Sequence, residues 1–236
     1  IGARIENPLI ITALAASFDE IFSLAETHRH PLQRLLTRRH SVFECGDKPM
    51  HHTLSKTGTY SKLLLHDLAH ARDVRIISAY FLPTYRLRRA LMRVARRGGR
   101  VRLILAGRTD IYLSQLAARN FYSRLLQAGV EIYEYEPQIL HAKLICAGPV
   151  TYIGSANLDI RSLRLNYELI LRFNDKAVAT GASEIFEKTL EHSQRIELET
   201  WQQKQTWWQR WQYRWANFLL TRVDPFVSLR QFRGKR

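Results

Sequence analysis

Two short polar patterns interrupt an otherwise apolar stretch in the second half of the chain. His141 and Lys143 form a His-x-Lys pair, and eleven residues after the lysine a Gly-Ser-x-Asn pattern begins, made by Gly154, Ser155 and Asn157. An imidazole can act as a nucleophile or as an acid and base, and an ammonium group can hold a charged oxygen. Serine and asparagine add short side-chain donors. Together these residue types predict a site for a tetrahedral anion.

The His-x-Lys pair lies in the apolar run LHAKLICA, which has the length and composition of a strand. Alternate side chains of a strand share a face, so His141, Lys143 and Ile145 are predicted on one side and Cys146 on the other. The histidine and lysine would then lie about 7 Å apart. The glycine of the second pattern allows a tight turn. If that turn leads into a helix, its free backbone N–H groups would also attract an anion.

Each pattern by itself is weak evidence for a site. The chain has nine histidines, so a chance His-x-Lys match is expected, and Gly-Ser-x-Asn also occurs in ordinary turns. The alternative interpretation is an edge-strand histidine followed by a turn. The occurrence of both patterns on neighbouring predicted strands favours the functional interpretation.

The segments that must position these residues alternate between strand and helix patterns. VRIISAYF, RVRLILAG and VEIYEY are short apolar runs, and the segments between them have helical periodicity and end on glycine. LHAKLICA and VTYIG then follow as two strands joined by Gly148 and Pro149, and NYELILRF is a further strand before a long helix. This order predicts an α/β fold with a mixed, mostly parallel sheet flanked by helices.

The two ends of the chain differ from this central part. Residues 8–25 predict an amphipathic helix, and polar, basic and turn residues up to about residue 59 predict a linker. All five tryptophans lie between Trp201 and Trp215. A helix would place on one side Trp201, Trp208, Trp211, Trp215, Phe218 and Leu219. Such a basic, amphipathic C-terminal helix is typical of an interfacial membrane segment, and equally of a terminal helix packed on its own domain.

Composition limits the class of partner without choosing it. The 236 residues carry a formal net charge of +15, with an isoelectric point near 10.3. This favours nucleic acid, an anionic membrane or a phosphorylated substrate. Cys45 and Cys146 form neither a metal-type spacing nor a disulfide framework. No apolar run reaches the roughly 18 residues of a spanning helix. The chain begins with isoleucine, so we expect a fragment of a longer protein.

The stretch HAKLICAGPVTYIGSANLD resembles the His-x-Lys signature of the phospholipase D superfamily. More narrowly, the chain resembles the C-terminal half of the bacterial cardiolipin synthases, which the segments AYFLP, RGGRVRLILAG, LLQAGVEIYEY and NLDIRSLRLNYE support in that order. The resemblance divides the chain into four segments. Residues 1–26 are the tail of a preceding lobe and 27–59 a linker. Residues 60–199 are a His-x-Lys lobe, whose motif covers about 136–161, and 200–236 are a basic tryptophan-rich tail.

By this resemblance the whole enzyme has two facing lobes, each with one His-x-Lys pair. The first pair is absent here. One histidine forms a phosphohistidine, and the other, here His141, is the general acid and base. Lys143, Gly154, Ser155 and Asn157 would surround and hold the phosphate. The implied reaction transfers a phosphatidyl group to phosphatidylglycerol and gives cardiolipin. The resemblance implies no metal and no cofactor.

One departure concerns the loop after the lysine. The family pattern has aspartate at position 148, where this chain has Gly148 in a loop that looks one residue short, which puts the stability of the loop in doubt. A carboxylate after the Gly-Ser turn is expected to orient the catalytic histidine. Glu168 is the candidate for that role, and the alternative is a surface glutamate at a strand end.

The expected partners are anionic phospholipids such as phosphatidylglycerol, a membrane surface and the missing N-terminal lobe in cis. The tryptophan-rich tail favours lipid over nucleic acid. The expected location is peripheral, on the cytoplasmic side of a bacterial inner membrane. Two alternatives stay open: a single-motif phosphodiesterase or nuclease that acts as a homodimer, and an inactive membrane-binding fragment. A second His-x-Lys pair upstream would discriminate between them.

Overall fold

The computed structural model of the protein describes residues 2, 4–6, 8–26, 42–44, 51–53, 59–159, 162–163 and 168–223. The helices are α1 (Pro8–Glu26), α2 (Thr59–His70), α3 (Tyr85–Arg96), α4 (Tyr112–Arg119), α5 (Tyr122–Gln127), α6 (Lys176–Glu191), α7 (Leu198–Lys204) and α8 (Trp207–Phe218), which continues into a π-helical turn, Leu219–Val223. The strands are β1 (Val42–Glu44), β2 (His51–Thr53), β3 (Asp73–Ser78), β4 (Arg100–Ala106), β5 (Glu131–Tyr135), β6 (Lys143–Ala147), β7 (Val150–Gly154), β8 (Ile170–Asn174) and β9 (Ser193–Ile196).

Within this described part of the chain, all nine strands form one sheet in the order β1-β2-β8-β7-β6-β3-β4-β5-β9. The α/β class and the mixed sheet flanked by helices are therefore confirmed. The expectation that the sheet is mostly parallel is wrong, because only β3–β4 and β4–β5 pair in parallel and the other six pairs are antiparallel. The physical reason is connection length. The helical crossovers between β3, β4 and β5 allow parallel pairing, whereas the turn between β6 and β7 is too short for it.

The two faces of the sheet bury different sets of side chains. Ile145 belongs to the larger core cluster, which includes residues of α2 to α5 and α8, whereas Leu144 and Cys146 belong to a second cluster under α6. This alternation confirms the predicted strand parity of LHAKLICA. Phe186 of α6 is completely buried in the second cluster. Burying such a side chain contributes about 1.5–3 kcal/mol.

Helix α3 shows how local sequence signals build the layer that covers the larger core. Thr84 caps its first turn, with its hydroxyl accepting a hydrogen bond from the Leu87 N–H at 3.3 Å. Leu87, Leu91 and Val94 recur at helical spacing, and all three are buried. The helix ends before Gly98, which adopts a φ of 85° that glycine accepts at little cost. Arginines occupy much of the opposite, solvent-facing side.

The turn between β6 and β7 contains the glycine that replaces the family aspartate. Gly148 has a φ of 60°, in the left-handed region, and its N–H donates to the Asp73 carbonyl at 2.9 Å. The turn connects the paired residues Ala147 and Val150 directly. The doubt about the loop is therefore resolved, because glycine is the residue type that this turn favours and the hairpin closes normally.

Both ends of the chain differ in detail from the sequence interpretation. The N-terminal helix is confirmed as α1. The segment predicted as a linker contains β1 and β2, which extend the sheet next to β8. The tail forms two helices, because Thr206 starts a new helix through a capping box with Gln209. The pattern Thr-x-x-Gln is a start signal in the sequence itself. The break separates Trp201 from the other tryptophans. The proposed division into domains stays a prediction.

Candidate active site

The predicted site residues gather at one edge of the sheet. The strands β3 and β4 end at this edge, β6 begins there and β7 ends there, because β3 pairs with β6 and β6 with β7 in antiparallel register. Ser78 is paired with Lys143, and the next pair along β6 and β7 is Leu144 with Ile153. The sheet topology therefore brings together residues from four separate parts of the chain.

His141 and Lys143 flank the start of β6. The imidazole is exposed, and Lys143 is partly buried with its Nζ donating to the His141 carbonyl oxygen at 2.8 Å. Burial lowers the pKa of the Lys143 ammonium, and the negative charges of Glu168, Asp159 and Asp110 act in the opposite direction. Three carboxylates therefore lie close enough to the lysine to influence its pKa. The ammonium balances part of that negative charge at the edge.

Ser155 and Glu168 form a direct hydrogen bond. The serine Oγ donates to Glu168 Oε2 at 2.5 Å, and the Leu169 N–H donates to the serine Oγ at 3.1 Å. Glu168 is only 7% exposed, so it is not the surface glutamate of the alternative interpretation. The carboxylate thus orients the serine hydroxyl, a role that the sequence did not indicate. Its expected hydrogen bond to a ring nitrogen of His141 stays a prediction.

Gly154 has a steric role at the same place. A β-carbon at this position would lie 2.1 Å from the Leu169 carbonyl oxygen, far inside contact distance. Only glycine therefore allows β7 and β8 to approach here. That approach includes the hydrogen bond from the Ser155 N–H to Leu169 O at 3.0 Å, which places the serine beside Glu168. The contribution of Gly154 to phosphate binding stays a prediction.

Asn157 lies in the segment that follows β7. Its Oδ1 is buried and has no hydrogen-bond partner within the described residues. The neighbouring Leu158 holds this segment against the end of β3 through a parallel bridge to Phe81, and the Leu82 N–H donates to Leu158 O at 2.9 Å. A buried polar atom without a partner costs stability, but this oxygen is an acceptor, so the contribution of Asn157 to phosphate binding stays a prediction.

Tyr80 and Asp110 are additional members of the site. The Tyr80 hydroxyl donates to Asp110 Oδ1 at 2.6 Å. This hydrogen bond lowers the pKa of the Asp110 carboxyl, and the nearby His141 contributes in the same direction. Burial, together with Asp110, raises the pKa of Tyr80 to about 12. The sequence contained one usable signal, because both residues follow parallel strands at their carboxyl ends, where sites collect in α/β folds.

In the turn after Asn157, two of the described backbone N–H groups already have partners. A short helical turn is present at residues 162–163, but the Ser162 N–H already donates to Asp159 Oδ1 at 2.7 Å. The Leu163 N–H donates to the Asp159 carbonyl at 3.0 Å. The aspartate therefore accepts from both, so these two N–H groups are not free for an anion, and the rest of the expected anion site stays a prediction.

A buried ion pair stabilises the strands that carry the site. Arg172 of β8 donates to both carboxylate oxygens of Asp67 in α2, at 2.8 and 2.9 Å, and the Tyr152 hydroxyl donates to the same carboxylate. Burial raises the pKa of Asp67, but the hydrogen bonds from Arg172 and Tyr152 outweigh it, so the pKa is lowered. This network fixes α2 against β7 and β8, the two strands that carry Ser155 and Glu168 at their ends.

The described residues contain no group of three or more histidines, cysteines, aspartates or glutamates that could hold a metal ion. Among the helices that the structure describes, none combines the length and the apolar character needed to cross a membrane.

The family described as "Cardiolipin synthase, PLD-like domain" matches residues 64–190 of this chain, which is more than half of its 236 residues. The chain belongs to this cardiolipin synthase family of phospholipase D-like domains. The resemblance to the phospholipase D superfamily is thereby confirmed. The matched range begins in α2 and ends in α6, so it includes the whole edge at which the site residues gather.

Curated members of the cardiolipin synthase family are similar to this chain along most of its length. Cardiolipin synthase A of Cronobacter sakazakii is 31% identical over 215 residues, which cover 88% of this chain and 44% of that protein. Cardiolipin synthase A of Escherichia coli O1:K1 is 31% identical over 212 residues, covering 87% and 43%. The chain therefore spans less than half the length of these relatives.

Solved structures share the fold of this cardiolipin synthase-like domain. A phospholipase D family member, Nuc from Salmonella typhimurium, superposes with a TM-score of 0.56 at 19% identity and covers 64% of this chain and 99% of its own. Phosphatidylserine synthase from Haemophilus influenzae superposes with a TM-score of 0.54 at 14% identity, covering 76% and 47%. At these identities the likeness concerns the fold alone.

Proposed function

We propose that this domain supplies the general acid and base of a phosphatidyl transfer that produces cardiolipin. The observation that carries the proposal is the assembly of His141, Lys143 and the Ser155–Glu168 pair at one edge of the sheet in a cardiolipin synthase-like domain. These groups supply a proton carrier, a cation and a serine that a carboxylate holds in place. Transfer from a phosphodiester needs protonation of the leaving oxygen, for which His141 is the candidate, and charge stabilisation on the non-bridging oxygens, for which Lys143 is the candidate.

The proposed reaction has two steps. A histidine of the missing N-terminal lobe attacks phosphorus, the bond from phosphorus to the leaving alcohol breaks, and the protonated His141 gives its proton to that alcohol. In the second step His141, now neutral, takes the proton of the acceptor hydroxyl of phosphatidylglycerol. The acceptor oxygen attacks phosphorus, the phosphorus–nitrogen bond breaks and the nucleophilic histidine is released. His141 is thereby protonated again.

The other residues have separate roles in this proposal. Lys143 binds the non-bridging phosphate oxygens. Ser155 has one hydroxyl proton, which it donates to Glu168 in this structure, so it joins Lys143 by turning that proton to a phosphate oxygen when substrate binds. Asn157 contributes its carboxamide to the same phosphate. Asp110, which accepts a hydrogen bond from Tyr80, supplies a carboxylate near the imidazole.

The shape of the site supports a requirement for a second lobe. The recess beside Lys143 and Gly154, closed below by Tyr60 and Tyr152, holds about 10 Å³. That volume accommodates about one water molecule. A phospholipid headgroup is much larger, and neither His141 nor Ser155 lines this recess, so in this proposal the headgroup lies over the exposed edge of the sheet and a facing surface encloses it. We infer that the missing N-terminal lobe provides this surface in cis, together with the nucleophilic histidine.

The proposed setting of the reaction is a membrane surface. Both substrates are anionic phospholipids, and the net charge of +15 favours association with their bilayer. We propose a peripheral position on the cytoplasmic face of a bacterial inner membrane. Localisation of the tagged protein by fractionation, with protease protection of spheroplasts to decide the side, tests this.

The test of the acid role compares two leaving groups in the intact protein. With a natural phospholipid donor, His141→Ala should lower the rate of headgroup release by about 10²–10⁴-fold, the usual contribution of acid–base catalysis. With a p-nitrophenyl phosphatidyl ester the first step should be largely restored, because nitrophenolate needs no proton. A covalent phosphoenzyme should then accumulate.

The control is Cys146→Ser. This thiol is buried on the opposite face of β6, and burial raises its pKa to about 11, so we expect unchanged transfer. Equal losses in the two variants would overturn the assignment of the site. Loss of both leaving-group reactions in the His141 variant, with no phosphoenzyme, would make His141 the nucleophile instead.

A further inference from the structure

A second polar cavity lies outside the proposed active site. It has a volume of about 500 Å³ and lies between α3, α5 and the C-terminal helices α7 and α8. Its lining contains five arginines: Arg88, Arg119, Arg124, Arg210 and Arg214. None of its lining residues belongs to the edge that carries His141 and Lys143. The volume is within the range typical of small-molecule sites.

Most of the positive charge in this cavity is not neutralised by the protein. Arg119 is paired with the buried Glu134 at 2.9 Å. In the described part of the chain, the other four arginines have no carboxylate within ion-pair distance. The Nε of Arg88 is buried there without a hydrogen-bond partner, and the positive charge of Arg124 adds to the effect of burial in lowering the pKa of Arg88. Unpaired like charges in one concave site favour an anion.

The outer face of α8 carries an exposed row of aromatic side chains. Trp207 is 76% exposed, and Trp208, Trp211 and Trp215 are each about half exposed. The rings of Trp208 and Trp211 stack with centroids 5.1 Å apart, and the next pair along the helix is 6.3 Å apart. We call these four residues, with the exposed Phe218, the tryptophan row. It is held away from the core, because the buried residues of α8 lie on the other side.

The cavity and the tryptophan row are adjacent on the same helix. Residues three or four apart are neighbours on a helix surface. Arg210 therefore lies beside Trp207, and Arg214 lies beside Trp211 and Phe218. The two arginines separate the tryptophan row from the buried Tyr213, which also lines the cavity. A molecule that enters the cavity past these arginines comes directly from the surface that bears the indoles.

We propose that this cavity binds the phosphate headgroup of an anionic phospholipid while the tryptophan row lies in the bilayer interface beside it. Unpaired guanidinium groups suit a phosphodiester, and exposed indoles suit the headgroup level of a membrane. A bilayer meets both requirements at once, with the acyl chains beside the indoles and the phosphate in the cavity. This is a lipid contact at which no bond is made or broken, and it goes beyond the proposed transfer at His141.

Vesicle binding by the intact protein tests the proposal. Co-sedimentation with phosphatidylglycerol–phosphatidylcholine vesicles should be about thirtyfold weaker for Arg210→Gln/Arg214→Gln, since each basic residue at an anionic surface contributes about fivefold. The matched control is Arg93→Gln/Arg96→Gln on α3, two exposed arginines outside the cavity that remove the same charge. It should weaken binding only a few-fold. Equal losses in the two double variants would mean diffuse attraction and would overturn the proposal.

Fluorescence identifies the surface and excludes other occupants. Brominated phosphatidylglycerol in the vesicles should quench the tryptophan emission of the wild type and not that of Trp207→Ala/Trp208→Ala/Trp211→Ala/Trp215→Ala, which keeps only the partly buried Trp201. Indoles already shielded from iodide before vesicles are added would show that another part of the protein covers the row. Oligonucleotides that bind more tightly than vesicles, with the same dependence on Arg210 and Arg214, would identify nucleic acid as the ligand. Either result would overturn the proposal.

A separate assay distinguishes failure here from failure of the proposed function. With a short-chain, water-soluble phosphatidyl donor, Arg210→Gln/Arg214→Gln should retain transfer activity, because the cavity takes no part in the chemistry. His141→Ala should bind vesicles as the wild type does. Loss of soluble-substrate transfer in the cavity variant would show that the cavity belongs to the active site.

Discussion

Ser155 Oγ donates a hydrogen bond to the buried carboxylate of Glu168, with the two oxygens 2.5 Å apart. This distance is at the short end of the range for hydrogen bonds between a hydroxyl and a carboxyl oxygen. The hydrogen bond holds the serine hydroxyl in one orientation at the edge where Lys143 and His141 lie. The Leu169 N–H donates to the same oxygen, so the position of the serine Oγ is fixed before any substrate arrives.

Our first prediction is that Ser155 and Glu168 act as a unit. Glu168→Gln and Ser155→Ala should each lower kcat for phosphatidyl transfer, by about 10–100-fold, the usual effect of losing a supporting hydrogen bond. The double variant should be no worse than the poorer single variant, because both changes remove the same interaction. Additive losses in this double-mutant cycle would show that Glu168 acts elsewhere, for example on His141.

Gly154 should tolerate no side chain. Gly154→Ala places a β-carbon 2.1 Å from Leu169 O, so β7 and β8 must separate, and we expect a loss of roughly 1–3 kcal/mol in the free energy of unfolding. Gly181→Ala in α6 is the matched control, because its β-carbon meets nothing within 4 Å. It should stabilise the helix by roughly 0.5–1 kcal/mol. Urea denaturation measures both, and equal effects would contradict the steric argument.

Acid should weaken the Asp67–Arg172 pair. The folded pKa of Asp67 is lowered, so its contribution to stability is complete at neutral pH. That contribution declines as the pH falls from the unfolded value, about 3.9, towards the folded value. Asp67→Asn should therefore be less stable than the wild type at pH 7 and should show a flatter loss of stability between about pH 5 and pH 2. Chemical denaturation at several pH values gives the free energy of unfolding as a function of pH for the wild type and for Asp67→Asn. The same dependence on pH in both proteins would refute the linkage.

Removal of the Tyr80 hydroxyl should raise the pKa of Asp110. The hydrogen bond to Asp110 Oδ1 favours the ionised carboxylate, so its loss in Tyr80→Phe favours the protonated form. The acidic limb of the pH profile of kcat/KM should shift to higher pH. Tyr85→Phe is the control, since Tyr85 is exposed on α3 and should leave the profile unchanged. An unshifted acidic limb would show that ionisation of Asp110 does not influence turnover.

The tryptophans of the tail should fall into two classes. Trp201 packs against the larger core, with its ring 5.0 Å from that of Tyr122 and 6.1 Å from that of Tyr213. We expect Trp201→Ala to lower the free energy of unfolding by roughly 3 kcal/mol. Trp208→Ala, on the exposed side of α8, should change it by less than about 0.5 kcal/mol. Thermal unfolding measures the stability of both variants. A large loss of stability in Trp208→Ala would mean that the tryptophan row is covered in the folded protein.

These two classes also show where the sequence interpretation of the tail was incomplete. Docking and membrane contact were treated as alternatives for one helix with one tryptophan stripe. The structure assigns Trp201 and Tyr213 to the core and leaves the row on α8 exposed. Helical periodicity assigns residues to a common face only while the helix is continuous, and the capping box at Thr206 interrupts it.

The sequence alone determined the parts of this protein that depend on local periodicity and residue type. The period of two in LHAKLICA assigned Leu144 and Cys146 to one face and Ile145 to the other, as the core clusters confirm. Helix α3, the glycines at which helices end and the mixed α/β class follow from the same kind of signal. The His-x-Lys pair and the Gly-Ser-x-Asn pattern both lie at one edge of the sheet, and their role as a site stays a prediction.

Only the tertiary structure decided which side chains meet at that edge. Glu168 is hydrogen-bonded to Ser155, which is 13 residues away in the sequence. Asp110 is hydrogen-bonded to Tyr80, which is 30 residues away. Such contacts depend on strand order and register, which place β3, β4, β6 and β7 side by side. No local pattern encodes these choices, because they result from which hydrophobic faces pack together across the whole sheet.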